Sequence, residues 1–191
     1  MLRLRTSTPM AWVEAVVGNL DVFLQDHAAN ERKVSGSVLR LAVQYPERRP
    51  LVDALVGLAR EELEHFQRVY DLLVARGATL GQDAPDPYMG ALRRLMRKRD
   101  IEEYLLDRLI VFGVVEARAC ERFTLLSHSV PDEHLRAFYR GLGRAEARHH
   151  GVFLRLAHRC ACCSAVASRL GEVLDAEAAI VAGLPIRAAL H

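Results

Sequence analysis

The sequence predicts an all-α protein built around a four-helix bundle with extra short helices. Three observations carry this. Apolar residues recur in alternating steps of three and four over long stretches. No long stretch alternates β-branched or aromatic residues with polar ones, as a half-buried strand would. A pattern of one Glu followed by Glu-x-x-His occurs twice, at nearly the same spacing. A chain of 191 residues with 51% hydrophobic content suits one domain, residues 1–191, with a sizeable core.

The elements follow in order. Pro9 opens a short amphipathic N-terminal helix, interrupted near Gly18 and Asn19. From Leu20 a seam reads Leu20, Leu24, His27, Glu31, Val34, Val38, Leu41 and Tyr45, the a/d repeat of packed helices. Pro46 and Pro50 bracket a turn. The next seam reads Leu51, Leu55, Leu58, Glu62, His65, Val69 and Leu72, and Gly77 supplies a left-handed cap. A polar loop with Gly81, Pro85 and Pro87 leads to a short basic helix around Ala91 to Arg99. Asp100 caps a third long helix with the seam Leu105, Leu109, Phe112, Glu116, Ala119, Phe123 and Leu126. Pro131 and Asp132 start a fourth, with Leu135, Phe138, Leu142, Glu146, His149, Phe153 and Leu156. A last helix spans Ser164 to Ala182. The chain reads as an internal duplication of a helical hairpin, about 20–77 and 100–159.

In each long helix a Glu breaks the apolar seam. Glu31 precedes Glu62 by 31 residues and Glu116 precedes Glu146 by 30, and the copies are offset by 85 and 84. His65 and His149 stand three residues after Glu62 and Glu146, which puts each Glu–His pair on one helix face. A carboxylate facing a bundle core costs several kcal/mol unless it is paired, protonated or bound to metal. Two divalent cations would balance four such carboxylates, and carboxylate oxygen with imidazole nitrogen suits iron or manganese. The alternative for any one of these residues is a solvated helix face or a buried ion pair. Six protein ligands on two ions leave coordination positions open, as in reactive rather than structural metal sites. Glu61, Glu64 and His150 fall off the seam and are expected on the surface. His27 lies one turn before Glu31 and is either a core histidine or a support for the ligand beside it.

Composition bounds the remainder. The formal net charge of +2 becomes about +6 once four ligand carboxylates are neutralised, a modest basic bias compatible with a polyanionic partner. No signal peptide and no apolar run long enough for a transmembrane helix is evident, so no membrane association is expected. Cys120, Cys160, Cys162 and Cys163 do not form a secreted disulfide framework, and a reducing cytoplasm is the simpler reading. The spacing of the last three matches no closed metal site; helical thiols more commonly fill small spaces in a core.

The segments Asp26-His27-Ala28-Ala29-Asn30-Glu31-Arg32-Lys33, Arg60-Glu61-Glu62-Leu63-Glu64-His65-Phe66, Val115-Glu116-Ala117-Arg118-Ala119-Cys120-Glu121-Arg122-Phe123 and Glu146-Ala147-Arg148-His149 resemble the MiaE-type tRNA hydroxylases. The resemblance runs from about Trp12 to His158, and the Glu116–Phe123 segment is its most specific part. It implies a ferritin-like fold and a non-haem di-iron monooxygenase acting on the isopentenyl group of 2-methylthio-N6-isopentenyladenosine near the tRNA anticodon. By the same resemblance Glu31, Glu62, His65, Glu116, Glu146 and His149 would be the catalytic ligands of two iron ions, with Glu62 and Glu146 bridging them. An unactivated allylic C–H is beyond acid, base or nucleophilic side chains, whereas iron with O2 can oxidise it. Nothing in the sequence resembles a flavin or nicotinamide site, so two electrons are expected from an external donor protein.

Basic residues that would hold a tRNA anticodon stem-loop are Arg97 and Lys98 in the run Arg93–Arg99, and Arg118 and Arg122 near the site mouth; Arg144 and Arg148 form a further cluster. Against this, a basic run can be a plain solvated face. Tyr88, Phe112 and Phe123 are candidates to stack on a splayed base, with simple core packing as the alternative. A monomer or dimer is expected. The competing readings are another ferritin-like di-iron oxidase or oxygenase acting on a small molecule, and iron storage, which would need a self-assembling shell.

Overall fold

A computed structural model describes residues 2–191. Seven helices and no strand occur among them: α1 Met10–Gly18, α2 Leu20–Gln44, α3 Arg49–Ala75, α4 Pro87–Leu95, α5 Ile101–Ser129, α6 Glu133–Cys160 and α7 Cys163–Gly183. No helix is long and apolar enough to cross a membrane among the described residues.

The chain divides into two compact units. One comprises Glu14–Pro85 with Arg187–Leu190, and its body is the α2–α3 hairpin. Leu24, Val38, Leu41, Leu55, Leu58 and Val69 are buried in it, as the two seams require. Each such side chain contributes roughly 1.5–3 kcal/mol through removal from water. Leu73 takes the last buried place, one residue past the expected Leu72. The turn between the helices is short because Pro50 sits in the first turn of α3, where its missing N–H costs nothing. At the far end Gly77 adopts φ +74, and Ala78 N–H donates to Leu73 O at 3.0 Å. That is a Schellman closure, which a Cβ at Gly77 would strain. Arg76 pairs with Asp21 beside it.

The other unit holds the N-terminal segment through Val13, Asp86–Ile186 and His191. Its body is the α5–α6 hairpin, with α7 packed on α5 and more lightly on α6, and α4 packed on α7. Asp100 caps α5 by accepting from Glu102 N and Glu103 N, and Asp132 caps α6 by accepting from Leu135 N. The short basic helix starts at Pro87, four residues ahead of the sequence expectation, because Asp86 accepts from Met89 N and Pro87 fits the first turn. Arg97, Lys98 and Arg99 therefore lie beyond its end.

α5 departs furthest from its expected single seam. From Leu105 to Cys120 every residue is buried. A second apolar face, hidden by the charged Asp107, Arg108 and Arg118, supports this all-round burial. On α6, Tyr139 is fully buried and Phe138 only partly, with the two rings edge to face. The hairpin closes tightly at Gly143, where a Cβ would meet Thr124 Oγ1 at 3.4 Å and Cys120 O at 3.7 Å.

Candidate metal centre

In the α2–α3 unit, Glu31, Glu62 and His65 are all buried, with Glu62 only 1% exposed. The a/d spacing turns Glu31 inward from α2, and the three-residue step turns Glu62 and His65 inward together from α3. His65 Nδ1 lies 3.1 Å from Glu62 Oε2 and 3.6 Å from Glu31 Oε2. Two carboxylates and one imidazole thus gather on one side of the hairpin. His27, fully buried one turn before Glu31, donates from Nε2 to Glu31 Oε1 at 2.7 Å. This decides its role: it is a core histidine that orients the carboxylate beside it.

In the α5–α6 unit the corresponding residues are Glu116, Glu146 and His149, each no more than 3% exposed. His149 Nδ1 lies 2.9 Å from Glu146 Oε2, matching the pair in the first unit. Cys120, one turn after Glu116, donates from Sγ to Gly143 O at 3.1 Å, and burial, aided by the Glu146 charge, pushes its thiol up. The two units therefore carry equivalent sets of buried carboxylates and imidazoles. Ionised carboxylates at such depth need compensating positive charge, and oxygen with imidazole nitrogen is the donor chemistry of iron and manganese. The residues fit a metal.

Three of the four side chains expected to meet substrate, Arg118, Arg122 and Arg97, are engaged by protein groups instead. Arg118 was expected at a substrate-facing mouth, but it is fully buried and committed inside the protein. Its Nε and Nη2 donate to the two carboxylate oxygens of Glu177 at 2.8 and 3.0 Å; Nη1 donates to Glu121 Oε2 at 2.5 Å and Thr8 Oγ1 at 3.3 Å, and Nη2 to Thr6 O at 3.0 Å. All five N–H groups are used. Burial opposes this charge, but Glu177 outweighs it and raises the guanidinium pKa. Arg122 is likewise buried; it donates to Thr8 Oγ1 and stacks over Trp12 at 4.9 Å. Burial lowers its pKa to about 10. Arg97 is bound to Asp107 and Glu103, so it is a clamp rather than a free phosphate ligand. Lys98 is exposed, together with Arg93, Arg94 and Arg99.

Tyr88 is fully buried, donates to Glu177 Oε1 at 3.2 Å and stacks on His191, so it cannot receive a base. Phe112 stacks on Phe153 and Phe123 on Tyr139, both as core pairs. His150 is buried, not on the surface, and accepts from Leu2 N at 3.4 Å. Cys162 and Cys163 are exposed rather than core fillers, and Cys160 is half-buried. Glu177 was missed by sequence reasoning. The available signal was a carboxylate in the seam Val166, Leu170, Val173, Leu174 of the last helix.

A family model described as tRNA-(MS2IO6A)-hydroxylase (MiaE) matches residues 2–191. The tRNA 2-(methylsulfanyl)-N(6)-isopentenyladenosine(37) hydroxylase of Pseudomonas putida is 40% identical over 151 residues, covering 79% of this chain and 73% of that protein. The protein of the same name from Salmonella typhimurium is 34% identical over 134 residues, 70% of this chain and 48% of that one. A solved structure, protein 43 with aldehyde deformylating oxygenase activity from Synechococcus, matches with a TM-score of 0.93 and 34% identity, covering 98% of this chain and 93% of the other. The fold is the all-α, ferritin-like one expected from the seams. With the match running through both buried Glu and Glu-x-x-His sets and the segment between them, the chain belongs to the MiaE family of tRNA hydroxylases.

Proposed function

We propose that the protein is an O2-dependent, non-haem di-iron monooxygenase that hydroxylates the isopentenyl side chain of 2-methylthio-N6-isopentenyladenosine beside the tRNA anticodon. The observation that carries this is the family match over residues 2–191, coupled to two equivalent buried Glu and Glu-x-x-His sets. Glu31, Glu62, His65, Glu116, Glu146 and His149 would hold two iron ions. Bound iron supplies the activation of O2, one oxygen atom entering the C–H bond and the other leaving as water, with two electrons from an external donor and two protons.

The protein's own part is to fix geometry and exclude water. His27 holds the Glu31 carboxylate by its hydrogen bond, so that ligand does not swing. Leu58 and Val69, one turn from Glu62 and His65, and Leu142 and Phe153, one turn from Glu146 and His149, are buried apolar neighbours that would keep water from each set. A tRNA substrate would be met in the cytoplasm.

A second reading has its own support. The Synechococcus structure is as similar in identity, 34%, as the Salmonella relative, and its activity is on an aldehyde. A small-molecule oxygenase on this scaffold is therefore the alternative. Nucleoside analysis of tRNA from cells with and without the gene decides between them. Loss of the hydroxylated isopentenyl nucleoside on deletion is expected. Its persistence would end the tRNA assignment. Metal analysis of purified protein should find about two irons per chain.

A further inference from the structure

The surface of α6 is rich in arginine. Arg136, Arg140, Arg144, Arg148, Arg155 and Arg159 all lie on this helix, the first half-buried and the other five exposed. At 3.6 residues per turn they occupy one broad arc, roughly opposite Glu146 and His149. At 1.5 Å rise per residue they extend over about 35 Å of helix. The only carboxylates on α6 are Glu133, in its first turn, and the buried Glu146. Arg136, Arg140, Arg144, Arg155 and Arg159 make no ion pair among the described residues. Arg140, Arg144, Arg155 and Arg159 thus form a line of positive charge with no ion-pair partner among the described residues.

Two further features fit close approach by a polyanion. Gly141 lies within the arc, exposed, with nothing within 4 Å of the position a Cβ would take. Gly151 lies within it too, with only the flexible end of Arg155 near, at 3.2 Å. Glycine weakens a helix and neither position is forced by packing, but each leaves the backbone low where a ligand could approach. No large apolar side chain of α6 is exposed, so the face lacks the hydrophobic centre of a protein interface. Its chemistry is that of a surface for nucleic-acid phosphates, polar and positive.

We infer that this arginine ladder on α6 is the phosphate-docking surface for the tRNA stem, which rests on the tRNA reading above. Facing away from the ligand carboxylates, it holds the RNA backbone and does not handle the reacting nucleotide. Guanidiniums engage phosphates bidentately and so fix register as well as adding charge. The exposed cations at Arg93, Arg94, Lys98 and Arg99 lie outside this helix and play no part in the ladder.

The test is binding of a fluorescent synthetic anticodon stem-loop RNA carrying isopentenyladenosine, measured by anisotropy between about 50 and 200 mM salt. Wild type, Arg140→Gln/Arg144→Gln/Arg155→Gln and the corresponding triple Lys variant are compared, each checked for helical content and iron content. The Gln triple should bind about tenfold or more weakly at the low-salt end, with the slope of log affinity against log salt reduced by about 2–3. The Lys triple should keep the wild-type slope. Wild-type affinity and slope in the Gln triple would overturn the ladder and leave the tRNA reading intact. An equal loss in both triples with no change of slope would also overturn it, since charge would not be the cause. If wild type itself fails to bind the RNA, the tRNA reading falls and the ladder with it.

Discussion

At the residue scale, Glu62 and Arg118 are both charges buried to the same degree, yet they answer different needs. Glu62 is held near an imidazole in a set suited to a cation. Glu62→Ala should leave the protein helical by circular dichroism while iron per chain falls to about one or less. The metal-loaded protein should lose the stabilisation that bound metal gives, roughly 3–4 kcal/mol when metal is 100–1,000 times its Kd, seen as a lower unfolding midpoint relative to loaded wild type. Arg118 is different because its partners are all protein groups. Arg118→Met strands Glu177 in the core and should cost about 3–5 kcal/mol in urea unfolding. Adding Glu177→Leu should restore most of that loss. If the single variant is as stable as wild type, the buried pair is not what fastens α7 to α5. The sequence exposed Glu62 through its repeated partner, but showed only Glu121 beside Arg118; its two-pronged partner Glu177 is 59 residues away on another helix.

At the element scale, caps decide where helices start. Asp100 receives two backbone N–H groups at the head of α5, so Asp100→Ala should cost about 1 kcal/mol, read from the thermal or urea midpoint. An unchanged midpoint would mean that tertiary packing alone sets this end. These caps, Pro50, Gly77 and the three-four seams were all legible, since each works through neighbours in sequence. The start of α4 was misplaced because its basic run was read as the helix, whereas Asp86 and Pro87 open it earlier and it ends at Leu95. The all-round burial of α5 was not legible either. One apolar stripe is apparent in its sequence, but Asp107 and Arg118 on its other faces are met by Arg97 and by Arg169 and Glu177 of α7.

At the scale of the whole molecule, Asp107 ties three parts of its unit together. It is fully buried and receives Arg97 from the segment after α4 and Arg169 from α7. Burial works to raise its pKa, but the hydrogen bonds from Arg97 and then Arg169 outweigh it, and the carboxyl lies below the ordinary aspartate value. A lowered folded-state pKa contributes stability that is present above the unfolded value, about 3.9, and is lost as pH falls through the lower folded value. Unfolding free energy measured from about pH 6 down to 2 should therefore decline below about pH 4. In Asp107→Asn that part of the decline should be absent and the neutral-pH stability lower. A wild-type slope in the variant would assign the acid sensitivity to other carboxylates.

The sequence by itself determined the helices, their order, the duplicated hairpin and the six residues proposed to hold metal. All of these follow from periodic spacing, which acts over a few turns of one chain segment. Tertiary structure decided which charges are working parts of the framework. It drew Arg118, Arg122 and Arg97 inward and left the arginines of α6 outside. A guanidinium's fate depends on whether a carboxylate, hydroxyl or ring from a distant segment arrives beside it, as Glu177, Thr8 and Asp107 do here. Local spacing carries no record of that meeting.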